Sequence, residues 1–179
     1  MSHEIRTPLN AIIGFSDLLM ETTEPEEKAE YIKIININNE LLLKLISDIL
    51  DLSKIESGTV ELKYDKFDIS TYFEDLVISM KQRITNSYVR LLSHNPYPDC
   101  KVNLDRNRVT QIITNYVSNA IKYTPKGFIE MGYEVVENGI RLYVRDSGIG
   151  IPDEKKNKLF QRFEKLDEFA QGTGLGLSI

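Results

Sequence analysis

Residues 105–124, DRNRVTQIITNYVSNAIKYT, present two contrasting faces on one predicted helix. Asn115, Asn119 and Lys122 step by four and then three residues, so they share one face. Asp105 precedes the run and is a predicted helix N-cap. The opposite face carries an apolar stripe that we expect to be buried, formed by Val109, Ile112, Ile113, Tyr116, Val117 and Ala120.

The amide face admits two interpretations. Taken alone, Asn115, Asn119 and Lys122 are better explained as a solvated surface, which is the commoner role of such residues. The alternative is a ligand site, because amide oxygens suit a hard cation such as Mg²⁺ and an ammonium group suits phosphate oxygens. Spacing alone leaves both interpretations open.

The segments around this helix alternate between strand and helix patterns. Asn138-Gly139 is a strong signal for a β-hairpin turn. The pattern predicts a mixed sheet with helices on one face, which is an α+β arrangement. In chain order the predicted elements are an alternating strand with Val60, Leu62 and Tyr64, a helix capped by Asp68, and strands at residues 88–92, 102–104, 128–135 and 140–144.

Two glycine-rich loops follow the predicted sheet. The first, DSGIGIP at residues 146–152, has a plain interpretation as a turn that needs glycine backbone angles. The sharper interpretation is that Gly148 and Gly150 let the backbone approach a flat base, while Asp146 accepts a hydrogen bond from an exocyclic amine such as that of adenine.

The second loop, GTGLGL at residues 172–177, places Gly172, Gly174 and Gly176 at alternate positions. Such spacing frees backbone amides to surround an anion, although a flexible linker is the alternative. Leu175 argues against a linker, and the absence of a following Gly-Lys-Ser/Thr excludes a P-loop. Between the loops, residues 159–165 predict a short helix anchored by Phe160 and Phe163, with Arg162 and Lys165 as weaker candidates for phosphate contact.

The first third of the chain predicts two helices. Local rules begin the first helix at Thr7-Pro8, with Thr7 as its cap and with Ile5, Leu9, Ile12 and Leu19 on one face. Thr23 and Glu26 have the form of a capping box for a second helix that runs from about Pro25 to about Ser57.

The second helix carries a heptad seam. A helix this long with such a seam seldom stands alone. An antiparallel hairpin that pairs with a second copy as a four-helix bundle is therefore favoured over one that packs only on its own chain. The seam consists of Tyr31, Ile35, Asn38, Leu42, Leu45, Ile49 and Leu52.

Composition excludes several classes of protein. The 179 residues carry a formal net charge of −5, so no broad basic surface is available to grip nucleic acid. One cysteine, Cys100, cannot form an intramolecular disulfide or a multi-cysteine zinc site. The strongest apolar candidate, Leu41–Leu43, is interrupted by Lys44 and Asp48, so it is too short to span a membrane. We expect a cytoplasmic fragment.

The order of the motifs resembles that of histidine kinases. Asn-x-x-x-Asn-Ala-x-Lys-Tyr-Thr from Asn115, Asp-x-Gly-x-Gly from Asp146, Phe-x-x-Phe from Phe160 and Gly-Thr-Gly-Leu-Gly-Leu from Gly172 match the N, G1, F and G2 boxes in sequence. The segment SHEIRTPLN at residues 2–10 resembles the H-box of the dimerisation and phosphoacceptor domain. This resemblance implies that the first helix begins before Thr7.

The resemblance implies a role for each matching residue of the H-box and the base site. His3 would be the phosphorylated histidine, Glu4 its acid/base partner, and Thr7 the residue that assists removal of phosphate from a response regulator. Asp146 would recognise the adenine amine, with Gly148 and Gly150 shaping the base site.

For the phosphates and the lid, the same resemblance implies that Asn119 ligates Mg²⁺ with Asn115 beside it, that Lys122 contacts phosphate, and that Tyr123 lines the pocket. Gly172, Gly174 and Gly176 would form the hinge of a lid that closes on ATP.

The implied organisation is a dimerising phosphoacceptor hairpin over residues 1–57 and an ATP-binding domain over residues 58–179. The family pattern extends beyond both ends of the sequence, so we expect a fragment of a longer protein that is anchored in the cell membrane. The implied partners are a response regulator and a second copy. Two alternatives remain at this point: an ATPase or protein serine kinase on the same fold, and a dimerising scaffold without nucleotide binding.

Overall fold

The structure, a computed structural model, describes residues 2–162 and 174–179. The chain divides into two compact units, Met1–Val60 with Lys155–Ile179, and Glu61–Glu154. The assignment of residues 58–179 to a single ATP-binding domain stays a prediction.

The first unit contains the predicted helical hairpin. Helix α1 runs over Ser2–Glu21 and α2 over Pro25–Glu56, which confirms both helices. The predicted start at Thr7 is wrong, because Thr7 lies inside α1 and its hydroxyl donates to the carbonyl oxygen of His3 at 3.1 Å instead of capping a helix. Proline lacks the N–H that would bond back to residue 4, yet the turn before the buried Pro8 stays helical.

The turn between the helices differs from the predicted capping box. The N-cap of α2 is Glu24, which forms no side-chain cap bond, and Pro25 takes the first helical position. Thr22, rather than Thr23, organises the turn: its hydroxyl donates to the Glu27 carboxylate and accepts the Glu24 N–H at 3.3 Å. The capping box at Thr23 and Glu26 is therefore wrong.

The heptad seam of α2 is confirmed as the covered face of that helix. Leu45 and Leu52 are buried and the other seam positions are half-buried. On α1, Ile5, Ile12 and Leu19 are half-buried as predicted, but Leu9 is 42% exposed, so its predicted inward position is wrong. No helix in the described part of the chain combines the length and apolarity needed to cross a membrane.

The second unit contains the predicted α+β layers. The predicted strand at Val60, Leu62 and Tyr64 is wrong, because Leu62 and Tyr64 are exposed and the strand lies further on. The elements of the second unit are, in chain order, β1 (Asp65–Asp68), α3 (Ile69–Arg83), β2 (Val89–His94), β3 (Lys101–Leu104), α4 (Arg106–Tyr123), β4 (Gly127–Val136) and β5 (Gly139–Asp146).

These strands form two small sheets. Strands β1 and β3 pair antiparallel, while β4 lies between a parallel β2 and an antiparallel β5. Helices α3 and α4 pack their apolar faces on the sheets, with the core formed by Phe73, Met80, Ile113, Val117, Met131 and Tyr133 among others. Two predicted core positions of α4 are wrong, because Ile112 is 45% exposed and Tyr116 is 41% exposed.

The second unit ends within a short helix, α5 (Asp153–Lys156). A short helix is predicted over residues 159–165. Of these, residues 159–162 are described, and they form turns and a bend instead of a helix. Phe160 is 68% exposed, so it is not the predicted core anchor, and Phe163 and Lys165 lie outside the described residues.

Both predicted aspartate caps are confirmed, and one also ties down a distant segment. Asp68 caps α3 by accepting the Ser70 N–H at 2.9 Å. Asp105 caps α4 through the Asn107 and Arg108 N–H groups and accepts the Lys63 N–H at 2.9 Å. The bond from Lys63 and those within the cap hold the pKa of Asp105 below its usual value.

We expect Asp105→Asn to lower the thermal unfolding temperature by several degrees at pH 7. We also expect the unfolding temperature of this variant to fall less steeply as the pH is lowered. A carboxylate whose pKa is lowered on folding contributes stability above its unfolded pKa, and this is lost as the pH falls through the folded value, here below about pH 4. Circular dichroism melts from pH 2 to pH 7 test this. The exposed Asp75→Asn on α3 is the control, and an equal acid slope in Asp105→Asn and the unaltered chain would contradict the prediction.

Candidate functional site

The predicted base-recognition residues lie together where α4 and β5 both end. Asp146 is the last residue of β5, and its Oδ1 atom accepts the Gly148 N–H at 2.8 Å. The next residue of the loop, Ile149, donates its N–H to the carbonyl oxygen of Tyr123 at 3.1 Å, at the last residue of α4. These bonds hold the loop against the helix end and leave the Asp146 carboxylate at the surface.

Position 148 requires a glycine because the loop approaches the end of α4 closely there. A Cβ atom at Gly148 would lie 2.3 Å from the Tyr123 carbonyl oxygen and 2.8 Å from Asp146 Oδ1. Gly150 has a different role, since its φ of +69° lies in the left-handed region and the space beside it is open. Gly148 therefore lies in close contact with the protein itself, while the predicted approach of the backbone at Gly148 and Gly150 to a flat base stays a prediction.

The amide face of α4 is accessible along its length. Asn115 and Asn119 are half-buried and Lys122 is exposed. The Asn119 side chain has no hydrogen-bond partner within residues 2–162 and 174–179, so its amide oxygen can ligate a cation. The ammonium group of Lys122 lies 4.9 Å from the ring centroid of Tyr123, which keeps its charge near the end of the helix that carries the base loop.

The predicted phosphoacceptor residues lie in the first two turns of α1. His3 and Thr7 are exposed and Glu4 is half-buried. Thr7 stands one turn beyond His3 and bonds to its carbonyl oxygen, so both side chains belong to the same stretch of helix surface. An exposed imidazole next to a carboxylate is a suitable nucleophile for a large incoming donor.

Residues of the second glycine loop are described only from Gly174 onward. Gly172 lies outside the described residues, Gly174 has a φ of +69°, and Gly176 is half-buried. Between them Leu175 is fully buried against Leu45 and Leu52 of α2. This burial accounts for the apolar residue that distinguishes the loop from a linker, while a lid hinge at these glycines stays a prediction.

Two families match the two ends of the chain. Residues 1–58 match the His Kinase A (phospho-acceptor) domain, and residues 104–179 match the Histidine kinase-, DNA gyrase B-, and HSP90-like ATPase family. A solved catalytic domain of the histidine kinase ThkA is 31% identical, with a TM-score of 0.57, and the match covers 65% of this chain and 76% of that one. The chain belongs to the histidine kinase family.

Relatives of this histidine kinase come from distant organisms. Hybrid signal transduction histidine kinase L of Dictyostelium discoideum and the histidine protein kinase DivJ of Caulobacter vibrioides are both 38% identical over the whole chain. The sensor kinase/phosphatase LuxQ of Vibrio vulnificus is 35% identical. The chain spans 11%, 31% and 22% of these three relatives, so it corresponds to a minor part of each.

Solved structures of histidine kinases resemble this chain over most of its length. Full-length ShkA in complex with AMPPNP has a TM-score of 0.73 at 28% identity, with 99% of this chain and 38% of that chain covered. ThkA in complex with the response regulator protein TrrA has a TM-score of 0.67 at 28% identity, over 92% of this chain and 48% of that chain. The predicted fold, a hairpin followed by mixed α/β layers, is therefore confirmed.

Sequence reasoning missed two hydroxyl side chains beside the base loop of this histidine kinase. Thr124 is buried and its hydroxyl donates to Asp146 Oδ1 at 3.4 Å. The Ser147 hydroxyl accepts the Phe128 N–H at 2.8 Å and ties the loop to the start of β4. Thr124 is the last residue of the Asn-x-x-x-Asn-Ala-x-Lys-Tyr-Thr motif and Ser147 lies inside the Asp-x-Gly-x-Gly motif, which was the available signal, but neither contact follows from spacing.

Proposed function

We propose that the chain is the catalytic core of a two-component sensor kinase, which uses Mg-ATP to phosphorylate His3 and then passes the phosphoryl group to an aspartate of a response regulator. The observation that carries the proposal is the base site around Asp146 in the same chain as an exposed histidine on the phosphoacceptor helix. Membership of the histidine kinase family supports both halves of the reaction.

The first step transfers the γ-phosphoryl group of ATP to His3. A ring nitrogen of His3 attacks the γ-phosphorus, the bond from that phosphorus to the β–γ bridging oxygen breaks, and ADP leaves with the electron pair. Glu4 is the proposed acceptor of the proton from the other ring nitrogen. The exposure of His3 leaves room for the donor nucleotide to approach.

The residues of the second unit bind and orient ATP. Asp146 accepts a hydrogen bond from the adenine amine, and Tyr123 lines the base site. Asn119 would hold Mg²⁺, which offsets the negative charge of the triphosphate when bound. Asn115 lies beside it, and the exposed Lys122 contacts a phosphate oxygen.

The second glycine loop is the proposed mobile element. Gly172, Gly174 and Gly176 would form the hinge of a lid over ATP, as the family resemblance implies. The positive φ of Gly174 supports a hinge there, because glycine adopts that conformation without strain.

We expect Asn119→Ala to weaken binding of Mg-ATP by at least about tenfold, because it removes the proposed amide ligand. Binding measured by calorimetry with Mg²⁺ and again with EDTA separates loss of the metal ligand from damage to the base site. The control is Ser118→Ala, which lies next to it on α4 and whose exposed hydroxyl donates to the Thr114 carbonyl oxygen within the same helix. Equal affinities for Asn119→Ala and Ser118→Ala would contradict the assignment.

Transfer to a response regulator and its reversal are the second part of the proposal. The solved complex of ThkA with TrrA supports a response regulator as the partner. Thr7 is exposed beside His3 and is the proposed phosphatase-assisting residue, which the name of the sensor kinase/phosphatase LuxQ supports. Its hydroxyl would have to leave the His3 carbonyl oxygen to reach an incoming partner.

A homodimer through the hairpin is proposed from its uncovered apolar side chains. Ile13, Met20, Leu43 and Leu50 are between 53% and 79% exposed on α1 and α2. A second hairpin that buried them would complete a four-helix bundle.

We also propose that the parent protein is anchored in the cell membrane with this part on the cytoplasmic side.

Incubation of the chain with Mg-ATP labelled at the γ-phosphate tests the proposed function. The expected product is a label on the chain that is lost in acid and stable in base, as a phosphohistidine is. An acid-stable label, or none, would contradict the proposal.

A further inference from the structure

Thr124 is one of the few polar side chains that the second unit buries. It follows the last residue of α4, is 1% exposed, and has φ −112° and ψ 89°, so the chain turns away from the helix there. Its hydroxyl donates to Oδ1 of Asp146 at 3.4 Å. A buried hydroxyl has no solvent to bond with, so the contact to Asp146 is the one that satisfies it.

The two oxygens of the Asp146 carboxylate are used unequally. Oδ1 accepts from both the Gly148 N–H, at 2.8 Å, and the Thr124 hydroxyl. Within residues 2–162 and 174–179 nothing donates to Oδ2, which belongs to an exposed side chain. One oxygen is therefore engaged by the protein and the other is left for a ligand.

We propose that Thr124 is a positioning residue that orients the Asp146 carboxylate and so makes the site selective for a 6-aminopurine over a 6-oxopurine. The inference rests on the proposed function, because it assumes that Asp146 faces the base. With Oδ1 held, Oδ2 presents a fixed acceptor to the exocyclic amine of adenine. Guanine carries a carbonyl oxygen at that place, which a carboxylate repels.

Close packing around Thr124 keeps its hydroxyl next to the Asp146 carboxylate. A Cβ at Gly148 would lie 2.9 Å from the Thr124 hydroxyl oxygen, so the loop, the hydroxyl and the carboxylate are already in contact. Without the hydroxyl, the carboxylate keeps the Gly148 bond alone and can rotate about it. Rotation lets Oδ2 turn toward other donors, which weakens discrimination between bases.

Thr124→Val removes the hydroxyl and keeps the side-chain shape. We expect it to weaken ATP binding by about tenfold, which is the value of one hydrogen bond to a charged group, and to lower the ratio of ATP to GTP affinity. Thr124→Ser retains the hydroxyl and should restore both. Calorimetry with each nucleotide and Mg²⁺ measures the affinities, and at saturating ATP the rate of self-phosphorylation should stay unchanged while KM rises.

Thr71→Val is the matched control, because its hydroxyl donates to Oδ2 of Asp68 at 3.5 Å in another threonine–aspartate pair of the same unit. It should change neither affinity. An ATP to GTP ratio in Thr124→Val equal to that of the unaltered chain would overturn the inference, as would failure of Thr124→Ser to restore it. Failure of the unaltered chain itself to bind ATP would instead overturn the proposed function, and the inference with it.

Discussion

His3→Gln should abolish the acid-labile phosphate label that forms when the chain is incubated with Mg-ATP labelled at the γ-phosphate. Glutamine has no ring nitrogen to attack phosphorus, so the covalent step is lost completely rather than slowed. Binding of ATP should persist, since the proposed nucleotide-binding residues from Asn115 to Gly150 are unchanged. Denaturing gels washed in acid or base, together with calorimetry, measure the two effects separately.

The chain offers a matched control, because it has only two histidines. His94 is exposed at the end of β2, and His94→Gln should leave the label intact. A label that survives His3→Gln would contradict the proposed acceptor. A label that is also acid-stable would favour the serine-kinase alternative.

Gly148→Ala should weaken ATP binding by at least about tenfold and lower the stability of the second unit by about 1–3 kcal/mol. The added methyl group would meet the Tyr123 carbonyl oxygen at 2.3 Å, which is backbone and cannot rotate away. The loop must then move off α4, breaking the bond from the Ile149 N–H and displacing the Asp146 carboxylate. Calorimetry with Mg-ATP and a thermal melt measure the two effects.

Gly14→Ala is the control for this substitution. Gly14 lies on an exposed face of α1 with nothing within 4 Å of an added Cβ. Alanine is the better helix former by about 1 kcal/mol, so this variant should be slightly more stable and bind ATP as before. Gly148→Ala with unchanged ATP affinity would contradict the close approach.

Local interactions explain which elements were predicted correctly. The Asp68 and Asp105 caps, the Asn138-Gly139 hairpin and the seam of α2 all depend on residues within a few positions of each other. Such patterns are set by residues close together in the sequence and do not depend on the elements that pack against them. The order of the motifs then placed the candidate site residues in the family.

The wrong predictions share a different origin. The first strand lies at Asp65–Asp68 because that segment pairs with β3, some 36 residues later, whereas Val60, Leu62 and Tyr64 have only an alternating pattern. Ile112 and Tyr116 fit the periodicity of the buried stripe, but the sheet covers a narrower sector of α4. Periodicity shows which residues can be buried, and packing selects among them.

The sequence by itself determined the two helices of the hairpin, the caps of α3 and α4, and the chemical types available for binding ATP and accepting phosphate. Only the tertiary structure decided that Thr124 contacts Asp146 Oδ1, and that the approach of the loop to the Tyr123 carbonyl oxygen leaves no room for a side chain at Gly148. The physical reason is that caps and helical faces arise from neighbours along the chain. The orientation of a carboxylate instead depends on a segment 22 residues away that the fold brings within hydrogen-bonding distance.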